Sequence, residues 1–203
     1  MPKTRRSRRE THHINRRTTQ HIYRAFDFAK ARGDALTHYI VLHLGPAGQE
    51  DQAEAVGALI EKFRVWLAYK RTKGLDVGMP DYALTIEAPG KTVHMNWAVR
   101  VPAGFEEEFS RKLNRWAERV CGPMKPAALH IARIDPLGYK SLANYMLKGT
   151  DELYVAHFHL GKWATPQGMV HGTRAAFSRS LGPAARDRAG YDARRRTMLS
   201  RAA

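Results

Sequence analysis

The sequence is poor in cysteine: Cys121 is the only one, which excludes an internal disulfide and favours a cytoplasmic setting. No apolar run is long enough to span a bilayer, so no membrane segment is expected. The basic N-terminus has no apolar stretch behind it and is not expected to be a secretory signal. The sequence also lacks a Gly-x-x-x-x-Gly-Lys-Ser/Thr motif, so no P-loop helicase domain is expected.

Acidic residues are few relative to basic ones. The 203 residues include 34 Lys and Arg against 19 Asp and Glu, which gives a net charge of +15. This excess predicts an anionic polymer as partner, most simply nucleic acid, although a soluble protein can also be basic without such a partner. The charge pattern predicts a basic arm over residues 1–17, one domain over residues 18–165 and a basic tail over residues 166–203.

A β-hairpin is predicted by two alternating stretches, Tyr82 to Glu87 and Val93 to Val101. The turn between them, residues 88–91, has Pro and Gly at its centre. Because side chains alternate along a strand, the apolar residues of the second arm share one face, and His94 and Asn96 share the other.

The position of Glu87 depends on the length of the hairpin loop. With an even number of loop residues, Glu87 pairs near Thr92 and lies on the face of His94 and Asn96, whereas an odd number turns it away. In the even register, the three polar side chains form a candidate site for a divalent cation. The alternative is that His94 and Asn96 are solvated residues on the outer face of an amphipathic strand.

The remaining pattern alternates helices with short strands, which predicts an α+β sandwich with helices on one side of a mainly antiparallel sheet. A strand at Leu36 to Leu44 places His38 and His43 on opposite faces. Each is either a tolerated strand residue or a neighbour of the candidate site. The other elements are expected at Thr18–Gly33, 51–72, 104–120 and 139–148 for helices and at 127–134 for a strand, with Thr18 or Thr19 as the cap of the first helix.

The last of these helices contains Tyr145 and Lys148, which are three residues apart and share a helix face. A tyrosine hydroxyl becomes a useful nucleophile when a metal polarises the phosphate that it attacks and a cation steadies the developing charge. The alternative is that Tyr145 is a core aromatic residue and Lys148 lies in solvent.

Three features occur in a distinctive order: the strand at residues 36–44, the hairpin with Glu87 and His94-x-Asn96 ending in Val101-Pro102, and the run Asn144-Tyr145-x-x-Lys148-Gly149. In this order the chain resembles the HUH endonuclease superfamily, and most nearly the single-tyrosine rolling-circle replication initiators (Rep proteins) of plasmids and small phages. The resemblance covers residues 36–150. The stretches at residues 166–174 and 178–183 also look like the tail of bacterial Rep-like proteins.

The resemblance implies an α+β fold with a central, mainly antiparallel sheet flanked by helices and related to RNA-recognition domains. It implies an enzyme that nicks and joins single-stranded DNA at an origin through a 5′-phosphotyrosine intermediate. Glu87, His94 and Asn96 would hold Mg²⁺ or Mn²⁺, Tyr145 would be the nucleophile, and Lys148 would stabilise charge. The partners implied are single-stranded or origin DNA and host replication proteins such as a helicase.

Two departures leave alternatives open. The chain has Asn96 where the family motif has a second histidine, which favours an oxygen-preferring ion or marks an inactive protein that only binds DNA or RNA. Farther on, His157 and His159 form a literal His-hydrophobic-His motif on a strand-like stretch from Leu153 to Leu160. Since tyrosines precede that motif, as in relaxases, a relaxase- or transposase-type nuclease with an alternative metal site is the second reading.

Arginines are the candidate phosphate contacts. Those in the N-terminal arm are expected to add affinity with little sequence preference, because phosphate contacts position without specifying. The nucleic-acid-binding candidates are Arg5, Arg6, Arg8, Arg9, Arg100 and Arg133.

Overall fold

The computed structural model describes residues 10–46, 52–90 and 92–198. Within these ranges the elements are, in chain order, β1 (Glu10–Thr11), α1 (Arg16–Ala31), β2 (His38–Pro46), α2 (Gln52–Thr72), β3 (Tyr82–Glu87), β4 (Thr92–Val99), α3 (Glu106–Cys121), β5 (Leu129–Arg133), α4 (Tyr139–Met146), α5 (Glu152–Val155), β6 (Val170–His171), β7 (Ala175–Phe177), a 3₁₀ turn (Arg179–Leu181), α6 (Pro183–Arg188), β8 (Tyr191–Asp192) and β9 (Thr197–Met198).

Five strands form the central sheet in the order β5-β2-β4-β3-β7, and each neighbouring pair is antiparallel. The predicted hairpin is β3 and β4, and the predicted first strand is β2, which has neighbours on both sides. The expectation of an α+β fold with an antiparallel sheet flanked by helices is therefore confirmed. Two small pairs, β1–β6 and β8–β9, lie outside this sheet.

One face of the sheet carries the larger apolar core. Leu84, Met95, Trp97, Ile40 and Leu42 point to this face, and all are buried. They pack against the apolar stripes of α2 and α3, which include Phe63, Leu67, Phe109 and Leu113. The alternation of β4 thus turns its bulky residues toward these helices and its polar residues to the opposite face.

The opposite face is divided into an apolar half and a polar half. Ala83, Ala98 and Ala175 lie side by side on β3, β4 and β7, and α1 and α4 pack against this part through residues such as Phe26 and Met146. Helices therefore cover both faces of the sheet, so the expectation of helices on one side only was wrong. The polar half contains the candidate site.

Both ends of the described chain belong to the fold. β1 pairs with β6, and β7 is an edge strand of the central sheet. Arg174, which is buried, holds the two ends together by donating to the carbonyl oxygens of Thr11 at 2.9 Å and of Gly168. We expected a basic arm up to residue 17 and a basic tail from residue 166, but the described parts of both segments pack into the fold. Residues 1–9 and 199–203 lie outside the described ranges.

The helix ends follow local chemistry. The side chain of Asn15 accepts a hydrogen bond from the Thr18 amide at 2.9 Å, so α1 begins before the expected cap at Thr18 or Thr19. Gly33 has a φ of +82°, a conformation that suits glycine and stops the helix. Across the described ranges, no helix combines the length and the apolar character that crossing a membrane requires.

Candidate active site at the polar half of the sheet

The register of the hairpin brings three polar side chains to one face. Glu87 pairs with His94, and Thr85 pairs with Asn96, so Glu87, His94 and Asn96 point to the same side of the sheet. Six residues separate Glu87 from His94, which is the even register considered from the sequence. Glu87 was expected opposite Thr92; the pair is shifted by two residues, which leaves its face unchanged.

Glu87 is the most enclosed charged group of this surface, with an exposed fraction of 3%. Its Oε2 accepts a salt bridge from Lys148 Nζ at 2.9 Å. Its Oε1 is buried and has no hydrogen-bond partner among the described residues. Burial raises the pKa of the Glu87 carboxyl, and the Lys148 ammonium opposes that rise. A buried carboxylate oxygen without a partner is costly unless a cation or a donor reaches it.

Asn96 and His94 offer neutral donor atoms beside this carboxylate. Asn96 is buried, and its Oδ1 accepts a hydrogen bond from the Tyr39 hydroxyl while its Nδ2 has no partner within the described chain. Burial, the neighbouring His43 and then Lys148 lower the pKa of His94. His94 is therefore a neutral imidazole at pH 7, the form that binds a metal ion.

Lys148 also connects the sheet to Tyr145. α4 ends at Met146, so Lys148 lies just beyond the helix on which it was expected. Its Nζ nevertheless lies 3.8 Å from the centroid of the Tyr145 ring. The Tyr145 ring stands edge-on to Tyr39 and to Trp163, and 36% of the residue is exposed. One ammonium thus contacts both the candidate nucleophile and the candidate metal-binding carboxylate.

Tyr139, the other tyrosine of α4, has a different environment. It is buried, and its hydroxyl accepts a hydrogen bond from the Leu36 amide at 3.1 Å. Burial raises the pKa of this hydroxyl, which makes its phenolate harder to form. Tyr139 therefore has a packing role, whereas Tyr145 is open to a substrate.

The alternative histidines do not lie on a strand. The stretch from Leu153 to Leu160 forms the end of α5 and a turn, so the strand expected there was wrong. Asp151 explains the difference, because its side chain accepts from the Leu153 amide and caps a helical turn. His157 and His159 are exposed in that turn, outside the central sheet.

The arginine candidates differ in their availability. Arg100 is engaged inside the protein, since it donates to Asp34 at 2.9 Å and to the Val77 carbonyl at 3.0 Å; its expected role as a phosphate contact is therefore not supported by its position. Arg133 is exposed on β5 but points to the face opposite the candidate site. Arg5, Arg6, Arg8 and Arg9 lie outside the described residues.

Two neighbours of the site were only weakly indicated by the sequence. His43 pairs with His94, and the two imidazole rings stack at 4.3 Å between centroids with an interplanar angle of 5°. Tyr39 lies on the same face of β2, four residues before His43. The alternation of side chains along the strand places His38 and His43 on opposite faces of β2. The register of β2 against β4 was needed to show that His43 is the one beside the site. His38 points to the apolar core, near Phe109.

Metal binding by this surface depends on the amide of Asn96. Within residues 10–46, 52–90 and 92–198, no cluster of three or more His, Cys, Asp or Glu residues is arranged to hold a metal ion. The set of Glu87, His94 and Asn96 contains two residues of those types and a carbonyl oxygen, which suits an oxygen-preferring ion.

Searches of protein-family models, of curated proteins and of solved structures each found no match to this chain. Inferences about function therefore rest on the chemistry of the site itself.

Proposed function

We propose that the protein is a metal-dependent endonuclease that nicks and rejoins single-stranded DNA at a replication origin, as in the HUH-type initiators that its sequence resembles. The observation that carries the proposal is the position of Lys148, whose Nζ contacts both the buried Glu87 carboxylate and the face of the Tyr145 ring. A nucleophile, a cation and a set of ligand atoms are thereby collected at one end of one sheet.

The residues present fit a divalent ion. Glu87 Oε1 is a buried carboxylate oxygen without a hydrogen-bond partner among the described residues, His94 is neutral, and the Asn96 carbonyl oxygen has a second lone pair beside the bond from Tyr39. Mg²⁺ or Mn²⁺ held by these three groups would withdraw charge from the scissile phosphate. Because the site has one carboxylate, we expect it to bind the divalent ion weakly until a DNA phosphate supplies a further oxygen ligand.

The reaction exchanges one phosphate ester for another. The Tyr145 oxygen forms a bond to phosphorus, and the bond from phosphorus to the 3′-oxygen breaks. Overall, the Tyr145 hydroxyl loses its proton and the released 3′-oxygen gains one, which leaves a 3′-hydroxyl. Lys148 stabilises the negative charge that develops on the tyrosine oxygen and the phosphate. Because the phosphotyrosine ester conserves the bond, attack by the same or another 3′-hydroxyl rejoins the strand.

The net charge of +15 supports a DNA substrate, since it favours accumulation of the protein on a polyanion. The resemblance to replication initiators makes a host helicase the proposed partner for strand separation.

One observation favours a second function, nucleic-acid binding without cleavage. The Lys148 ammonium already neutralises Glu87 at 2.9 Å, so this carboxylate has a cation in the absence of a metal ion. In a binding-only protein, the same ion pair would stabilise the sheet and Tyr145 would be a stacking surface for bases.

Cleavage of a 3′-labelled pool of random-sequence single strands separates the two functions. With Mn²⁺ present, the nuclease produces labelled fragments attached to protein, and chelation of Mn²⁺ abolishes them. His94→Ala should abolish the products, whereas His157→Ala, which changes an exposed histidine outside the site, should retain them. Binding of the pool without any cleavage by the unchanged protein would favour the binding-only function.

A further inference from the structure

A cavity of about 560 Å³ opens beside the candidate active site. Three segments line it: residues 12–13, 148–153 and 164–169. Two backbone hydrogen bonds fix its walls, from the Thr165 amide to the Lys148 carbonyl at 3.1 Å and from the Ala88 amide to the Gln167 carbonyl at 2.8 Å. Lys148 lines the cavity and also forms the salt bridge with Glu87. A molecule in the cavity would therefore lie next to a phosphate bound at the candidate active site.

The volume of the cavity suits one small ligand. Pockets for such ligands commonly measure about 300 to 1,000 Å³. One nucleotide fits within this range, whereas a folded partner segment does not. The close approach of Gly168 to Ala88 keeps one wall compact, because a side chain at residue 168 would collide with the Ala88 carbonyl.

The polar lining accepts hydrogen bonds more than it attracts anions. The two carboxylates, Asp151 and Glu152, lie on one side of the cavity. Asp151 Oδ2 is 3.2 Å from Nε2 of His13, another residue of the lining. Because Asp151 already faces the Leu153 amide and His13, Glu152 is the carboxylate that would receive the exocyclic amino group of a base.

The flat side chains at the opening suit a ring. His12 and His13 are both exposed and both line the cavity. Unpaired bases commonly stack on aromatic or imidazole rings, and their edges form hydrogen bonds at the same time. The cavity thus combines a stacking surface with acceptors behind it.

We propose that this cavity receives one unpaired nucleobase of the strand and prefers a base with an exocyclic amino group, such as cytosine, over thymine. The inference rests on the proposed function for the identity of the strand, and it adds a base-selecting pocket next to the phosphate site. Thymine presents a carbonyl oxygen where cytosine presents its amino group, so two acceptors would face each other across the contact with Glu152.

Free nucleosides test the pocket without a metal ion, a phosphate or cleavage. Deoxycytidine should shift the ring NMR signals of His12 and His13 and leave that of His157 unchanged. Thymidine should bind about fivefold more weakly, the ratio expected for loss of one hydrogen bond. Equal binding of the two nucleosides, shifts confined to other histidines, or no shift up to the solubility limit would overturn the proposal.

Two variants of the lining and two control variants locate the effect. Glu152→Gln should reduce the preference for deoxycytidine, and His12→Ala should weaken both nucleosides, whereas His157→Ala should change neither. Tyr145→Phe should leave nucleoside binding intact. Binding of deoxycytidine without any DNA cleavage would therefore retain the pocket and reject the nuclease, and cleavage without nucleoside binding would do the reverse.

Discussion

Lys148 is the residue on which the proposed chemistry of the site depends. Its ammonium lies between the Glu87 carboxylate and the Tyr145 ring, with little exposure of its own side chain. Two roles follow from this position: it stabilises a buried carboxylate in the free protein, and it is available to stabilise charge near Tyr145 when a strand is bound. Both roles can be separated by experiment, because only the first affects the free energy of unfolding.

Lys148→Met should make stability more sensitive to pH. Burial raises the pKa of Glu87 above its ordinary value of 4.5, so its contribution to stability is present below that value and is lost as pH rises through the raised pKa. Without the Lys148 ammonium the pKa of Glu87 rises further, so the loss of stability with rising pH extends over a wider range of pH. We expect a deficit of about 3 kcal/mol near neutral pH that shrinks toward acid.

Urea denaturation of Lys148→Met in mildly acidic and neutral buffers measures this difference. Lys162→Met is the matched control, since Lys162 is exposed and its Nζ contacts the Trp163 ring at 5.1 Å without a carboxylate. A deficit that is the same at both pH values would show that the lysine stem, and not its charge, stabilises the site.

Among the elements, β7 completes one edge of the central sheet and was the hardest to predict. β7 has only three residues, Ala175–Phe177, which is too short for an alternating pattern to stand out. Its pairing with β3 is a contact between distant parts of the chain, and periodicity carries no information about such contacts. The Arg174 side chain, surrounded by carbonyl oxygens, was likewise indistinguishable in sequence from the exposed arginines that follow it.

The hairpin and the long helices were predictable for the opposite reason. β3 and β4 are joined by a short turn, and the bulky residues of β4 alternate strictly with His94 and Asn96. Local alternation was sufficient to place both polar residues on one face. It was insufficient for Tyr39 and His43, whose position beside that face depends on the register of β2 against β4.

Arg174→Met should destabilise the fold by about 3 kcal/mol, because the carbonyl oxygens of Thr11 and Gly168 lose the donor that the buried Arg174 provides. Thermal unfolding monitored by circular dichroism would measure the loss. Arg179→Met, a change at an exposed arginine in the neighbouring 3₁₀ turn, should shift the transition little. Equal effects of the two changes would mean that the carbonyl contacts of Arg174 contribute nothing specific.

At the scale of the whole molecule, the net charge of +15 predicts how the protein would bind single-stranded DNA under the proposed function. Residues 1–9 contain five of the 34 basic residues, Lys3, Arg5, Arg6, Arg8 and Arg9, and precede the first strand of the fold at Glu10. A protein without residues 1–9 still contains every residue of the described helices and strands. Because they would act on phosphates, they are expected to increase affinity for all single strands alike.

Deletion of residues 1–9 should reduce the slope of log K against log salt for single-stranded DNA by up to about 3.5, the value for loss of five phosphate contacts. Fluorescence anisotropy at several salt concentrations measures the slope, and replacement of the same five residues by Gln is the matched control. A loss of sequence preference with an unchanged slope would contradict this role.

The proposed nucleophile is tested most directly by mapping a covalent protein–DNA adduct. In the presence of Mn²⁺ and an origin strand, the unchanged protein should yield one adduct, and mass spectrometry of its peptides should place the nucleotide on Tyr145. Tyr145→Phe should abolish the adduct and retain DNA binding, because the ring remains and only a hydroxyl is lost. Tyr154→Phe should retain both the adduct and DNA binding. An adduct on any other tyrosine, or its persistence in Tyr145→Phe, would contradict the account.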